Sequence, residues 1–140
     1  MCAQGRPDET EYGARFFAGE VSDAYLQKRN IQRGYSVVIW RGRHVAEPTE
    51  LSEEEAAQYW REVLEAGRRI EQRLQPVKLN YDILGNELPH LHTHVVPRYA
   101  DDPKPNTIRL SFVTVPPERI AQGIAALAQA LKAALVRARS

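Results

Sequence analysis

The chain has 140 residues, the size of one domain, and its 43% hydrophobic content suffices for one core. Nineteen lysines and arginines stand against 18 acidic residues, a net charge of +1. That leaves no basic field to hold nucleic acid and no acidic excess of the kind found in disordered tails, so a compact small-molecule ligand is the better expectation. No run of about 18 apolar residues occurs, and the polar opening MCAQGRPDETEYG has no apolar stretch like a secretory signal. The expected location is therefore the cytoplasm, with no membrane partner. Cys2, the single cysteine, has no internal partner for a disulfide, which agrees with a reducing compartment.

In chain order, residues 1–14 are polar, carry Gly5, Pro7 and Gly13, and read as a flexible arm before a domain over 15–140. ARFFAG and DAYLQ read as short strands, and a loop through KRNIQRG leads to the clearer strand YSVVIW, rich in β-branched and aromatic residues. The three are expected to form an antiparallel meander. A helix is predicted over about 52–74: Ser52 with Glu55 three residues later is a capping-box signature, and acidic residues fill the first turn. Trp60, Val63, Gly67, Ile70 and Leu74 give it an apolar stripe expected to face the core. After Pro76, VKLNYDIL reads as a strand running to a turn at Gly85-Asn86, and the next strand is expected in PHLHTHVVPRY. RYADDPKPNT is a proline-bearing loop and IRLSFVTV a last short strand. A C-terminal helix follows over about 116–138, opened by Pro116 and Pro117. Ile120, Ile124, Leu127, Leu131 and Leu135 form its stripe, also expected to face the core. Strands, helix, strands, helix with hairpin-length links predict an α+β domain with an antiparallel sheet.

Three of the chain's four histidines, His90, His92 and His94, fall at every second position. Side chains alternate along a strand, so the three are expected on one sheet face, with Leu91, Thr93 and Val95 on the other. Three readings compete. The first is a row of solvated polar residues on an open face. The second is a metal site, since histidines two apart can reach one zinc or iron, with Asp82, Glu87 or His44 as further ligands. The third is nucleophilic catalysis on phosphorus. A neutral imidazole is a good nucleophile near neutral pH when one nitrogen is free and the other holds the proton, and neighbouring imidazoles can fix that tautomer and meet phosphoryl oxygens. The three rings cannot all be protonated together, because like charges this close lower one another's pKa.

HLHTHVV resembles the signature of the histidine triad (HIT) superfamily: three histidines separated by single residues, then two apolar residues. LNYDILGNELPHLHTHVVPRY and RGYSVVIWRGRHVAEPTELSEEE are similar to further stretches of bacterial members, so the likeness spans about residues 22–103. The resemblance implies a HIT-like fold with a central and a C-terminal helix, and nucleotidyl transfer or hydrolysis through a covalent nucleotidyl-histidine. By match, His92 is the nucleophile, His90 orients it, and His94 contacts the phosphate or the bridging oxygen. Asn80, Gly85 and Asn86 match substrate-binding positions. Gln27 stands where members hold the ribose with Asp or Asn, and Glu87 stands in place of a small hydroxyl residue. His44, in RGRHV, matches a position at a strand end with a structural role. Pro97-Arg98 is similar to the dinucleoside polyphosphate hydrolase branch, where Arg98 would neutralise a polyphosphate. Some members bind a structural zinc through two N-terminal cysteines. This chain has only Cys2, so no metal and no cofactor are expected. A homodimer is implied. The alternative is a nucleotide-binding or sensing module with little turnover.

Overall fold

The structure is a computed structural model that describes residues 5–28, 32–85, 88–102 and 116–137. The chain divides into two compact units, Met1–Pro103 and Lys104–Ser140. The first contains strands β1 (Gly13–Ala18), β2 (Ser22–Gln27) and β3 (Ser36–Trp40), a 3-10 turn (Pro48–Glu50), helix α1 (Glu53–Leu74), and strands β4 (Lys78–Asp82) and β5 (His92–Arg98). The second contains α2 (Pro117–Arg137). The expected strand in IRLSFVTV lies outside the described residues.

All five strands form one antiparallel sheet in the order β1-β2-β3-β5-β4. The expected meander is β1-β2-β3, and the histidine strand then inserts between β3 and β4. This α+β architecture is the one the sequence predicts. One sheet face is covered by α1. Ala24, Val38, Thr93 and Val95 lie on that face with Tyr59, Val63, Ala66 and Ile70 of the helix, all buried. The Tyr59 hydroxyl reaches through the core to donate to the Val38 carbonyl at 3.2 Å and pairs with Thr93 Oγ1 at 2.8 Å. A bulge between Arg15 and Phe17 breaks the alternation of β1. Arg15 therefore faces away from the helix while Phe17 turns toward it, 4.8 Å beneath the Arg69 guanidinium.

Helix α1 begins where the capping box puts it: Ser52 accepts from the Glu55 amide, and Glu55 reaches back to the Ser52 amide. Val63, Gly67 and Ile70 of the expected stripe are buried, but at its start Tyr59 takes the place of Trp60. Tyr59 is sealed in the core, whereas Trp60 is 39% exposed. The buried Glu62 carboxylate ties the helix to the β1–β2 turn, accepting from Ser22 Oγ at 2.6 Å and from the Glu20 and Val21 amides at 2.8 and 3.1 Å. Burial opposes its ionisation, but these bonds and that from Gln58 outweigh burial and hold the carboxyl below its usual range.

Residues 1–14, read from the sequence as a flexible arm, are described from Gly5 onward, and that part is tied down. Arg6 forms a bidentate pair with Asp23, Tyr25 donates to the Pro7 carbonyl, and Glu9 bridges to Ala14. In α2 the helix is present but its expected burial is not. No residue of α2 is buried, and Ile124, Leu131 and Leu135 are exposed. α2 is the only described element of its unit, so no described neighbour in that unit covers its stripe. No helix among the described residues is long and apolar enough to cross a membrane.

Candidate active site

The sheet face opposite α1 carries the histidines. In register, Ile39 stands across from His92 and Val37 from His94, while Asp82 of β4 flanks His94 on its other side. His92 and His94 share this face as expected, with ring centroids 4.9 Å apart at 75°. His90 does not belong to the strand. Pro89 precedes it, its amide bonds to the Leu88 carbonyl at 2.7 Å, and β5 begins only at His92. The chain enters the sheet through Leu91, whose backbone pairs with Val45 and Trp40. The expected three-histidine row on one strand is therefore a two-histidine row plus a buried histidine at its entrance, because the Val45 segment occupies the backbone position that a longer β5 would need.

That entrance fixes the protons. His90 Nε2 lies 2.8 Å from the Trp40 carbonyl, which only accepts, so Nε2 carries hydrogen. Burial, set against the Trp40 bond and helped by the charges of His44 and Arg41, lowers its pKa, so the ring is neutral at pH 7 and Nδ1 is an acceptor. His44 Nδ1 stands 3.4 Å from it, with ring centroids 5.5 Å apart. His92 Nδ1 lies 2.7 Å from the His90 carbonyl oxygen and must donate to it. In the neutral ring the lone pair is then on Nε2, which has no partner among the described residues. Every described side-chain nitrogen or oxygen sealed from solvent has a partner, so Nε2 is open to the outside even though His92 is only 7% exposed. His90 acts on His92 through its backbone carbonyl; its imidazole serves to pin that segment to β3.

His94 Nδ1 meets the Tyr35 hydroxyl at 2.5 Å. With Tyr35 donating, a neutral His94 carries its proton on Nε2, and its ring lies beside that of His92. Sequence reasoning missed Tyr35, which stands 59 residues away and reaches His94 through strand pairing. It also missed the buried Asp23, in register with Ile39 and hence in line with His92. Burial works against its charge, but Arg6, Arg41 and Arg15 hold its carboxyl below the usual range.

The expected binding residues are distributed as follows. Asn80 lies on the histidine face of β4, opposite Val96, one row from His94. Gly85 follows β4 without a left-handed φ, and a Cβ there would meet the Leu88 carbonyl at 3.9 Å. Asn86 and Glu87 lie outside the described residues. Gln27 is on the histidine face but on β2, and its amide nitrogen is 3.2 Å from where a Cβ on Gly13 would stand, toward β1 and away from the histidines. Arg98 shares the β5 face, and its Nε donates to Asp102 at 2.8 Å. Among the described residues no three histidine, cysteine or acidic side chains gather as metal ligands.

The HIT domain family model matches residues 12–101, and the chain belongs to that family. It is 27% identical over 114 residues to Protein hit of Bacillus subtilis (strain 168), a match covering 69% of this chain and 78% of that protein. Its fold is similar to that of a histidine triad protein from Bradyrhizobium japonicum: TM-score 0.61, 22% identity, 85% of this chain and 90% of the other. It is also similar to that of a HIT family member from Bacillus subtilis: TM-score 0.59, 24% identity, 84% and 86% of the two chains.

Proposed function

We propose that this HIT-domain protein is a nucleotide hydrolase that attacks the α-phosphorus of a dinucleoside polyphosphate or related nucleotide with His92 and releases a nucleoside monophosphate. The observation that carries the reading is the His92 imidazole, held by the His90 carbonyl so that its outward Nε2 bears the lone pair. In the first step the Nε2–P bond forms and the bond from phosphorus to the bridging oxygen breaks, that oxygen leaving with the electron pair. His94 supplies a hydrogen-bond donor for that oxygen, which leaves as an oxyanion of the departing phosphate. In the second step water attacks the phosphorus, the N–P bond breaks with its electron pair returning to His92 Nε2, and the water's proton passes to solvent. Covalent catalysis divides one hard displacement into two easier ones, and the site is preorganised because each ring is already held before substrate arrives. The scheme calls for no metal or other cofactor. The place of Asn80 on the histidine face of β4 supports a role for its amide at the phosphate, whereas Gln27 would have to turn from Gly13 to reach a ribose.

The test offers the protein diadenosine polyphosphates, nucleoside phosphoramidates and nucleoside phosphosulfates and follows nucleoside monophosphate release. Turnover of diadenosine polyphosphates is expected from the native chain, with a loss of at least about a thousandfold in His92→Asn, the scale of removing a nucleophile. Tight nucleotide binding without product would favour a sensing module instead.

A further inference from the structure

A pocket of about 210 Å³ has His90 in its lining, with Gly5, Arg6, Trp40, Arg41 and Gly42. Among the described residues the lining holds two guanidiniums and no carboxylate. Arg6 and Arg41, with Arg15 behind them, converge on the single buried carboxylate of Asp23: Arg6 Nη2 at 2.7 Å, Arg41 Nε at 3.0 Å and Arg15 Nη1 at 3.3 Å. Asp8 takes the other side of Arg15, and Glu62 is engaged by Ser22 and backbone amides. Among the described residues, two carboxylates, Asp23 and Asp8, thus face these three guanidiniums. Arg6 uses Nε and Nη2 for Asp23 and the Gly19 and Ser22 carbonyls, leaving Nη1 without a partner among the described residues. Its side chain is 38% exposed. The Asp23 pair thus works as a clamp that holds a planar cation at the pocket wall, the arrangement in which arginine binds phosphate oxygens well.

The position matters as much as the charge. Asp23, Ile39 and His92 are in one cross-strand row, so Asp23 is about 10 Å from the nucleophile's strand position at ordinary strand spacing. His90 belongs to both places: its ring lines the pocket and its carbonyl holds His92. Displacement at the α-phosphorus leaves the electron pair on the bridging oxygen, and the departing phosphates carry that negative charge. We infer that the Arg6–Arg41–His90 pocket is a subsite for these departing phosphate groups. The assignment rests on the nucleotidyl-transfer reading for its catalytic meaning, and on the pocket alone for anion binding.

The experiment is calorimetric titration of the full chain with inorganic pyrophosphate and with tripolyphosphate, alongside covalent nucleotide trapping by the native chain. Arg6→Gln removes the cation. Gly5→Asp puts a carboxylate at the rim while leaving the Arg6–Asp23 pair in place; Gly5 has φ +64 with open space around it, and aspartate tolerates that conformation better than most residues. The native chain should bind both anions, and each variant should bind pyrophosphate about tenfold more weakly, the scale of one charge-assisted contact. Absence of pyrophosphate binding by the native chain, or affinities within twofold of native in both variants, overturns the subsite. Pyrophosphate binding that depends on Arg6 and Gly5 in a chain that traps no nucleotide would keep the subsite and discard the nucleotidyl-transfer reading.

Discussion

At the scale of single residues, the account turns on which nitrogen carries a proton. The His90 carbonyl decides this for His92, and the Tyr35 hydroxyl bears on it for His94. Tyr35→Phe removes one hydrogen bond from a half-buried ring and leaves the packing in place. It should lower kcat by about tenfold and change the pH profile of kcat, with KM and melting temperature little altered, since a single hydrogen bond is worth about 1 kcal/mol to stability. A melting-temperature loss that accounts for all the lost activity would assign Tyr35 a purely structural role. The histidines were legible in the sequence because three of one residue type two apart admit few chemistries. Tyr35 and Asp23 were not, because they join the site across strands whose register no local pattern specifies. Gln27 shows the same limit: alternation gives its face, but its amide settles over Gly13, whose missing side chain makes the room.

At the scale of elements, the capping box and turn chemistry were readable, while burial was readable only in part. Ser52 and Glu55 mark the start of α1 as expected, yet the buried stripe begins at Tyr59 rather than Trp60. The reason is that Tyr59 can satisfy its hydroxyl on Val38 and Thr93, so a polar-tipped ring becomes the better core residue. Gly34 and Gly85 illustrate how differently two turn glycines are used. Gly34 has φ +79, and a Cβ there would stand 2.3 Å from Leu74 Cδ1 and 3.1 Å from Pro97 Cγ. Gly34→Ala should therefore cost about 1–3 kcal/mol, from backbone strain and the clash beneath the β2–β3 turn. Gly85→Ala, with only the Leu88 carbonyl at 3.9 Å, should be close to neutral. Chemical denaturation of both variants checks the contrast, and equal losses would contradict it.

At the scale of the whole molecule, the triad resemblance foretold the family. Assembly was harder to read. Trp60 and Leu64, 39% and 44% exposed, lie two turns and one turn before Gly67 on α1, and Gly67 packs on Tyr81 of β4. Among the described strands β4 lies at an edge of the sheet, with its own Tyr81 and the preceding Val77 exposed. Such an edge, continuous with apolar helix surface, is a ready template for a second copy. We propose that the expected homodimer forms across this surface: light scattering should give twice the 15.9 kDa chain mass, and Leu64→Arg should shift it to monomer. A native monomer, or a dimer indifferent to Leu64, would contradict this placement. The α2 stripe has a regular helical period but no described neighbour in its unit, so periodicity identified the helix without identifying its partner.

The most direct test is mass spectrometry of the protein quenched during turnover of a diadenosine polyphosphate, followed by peptide mapping. The account predicts one added nucleoside monophosphate, bonded through phosphorus to an imidazole nitrogen in the peptide carrying His92, and no adduct in His92→Asn. Full turnover with no adduct on any peptide, or an adduct on His90 or His94 that persists in His92→Asn, would contradict it.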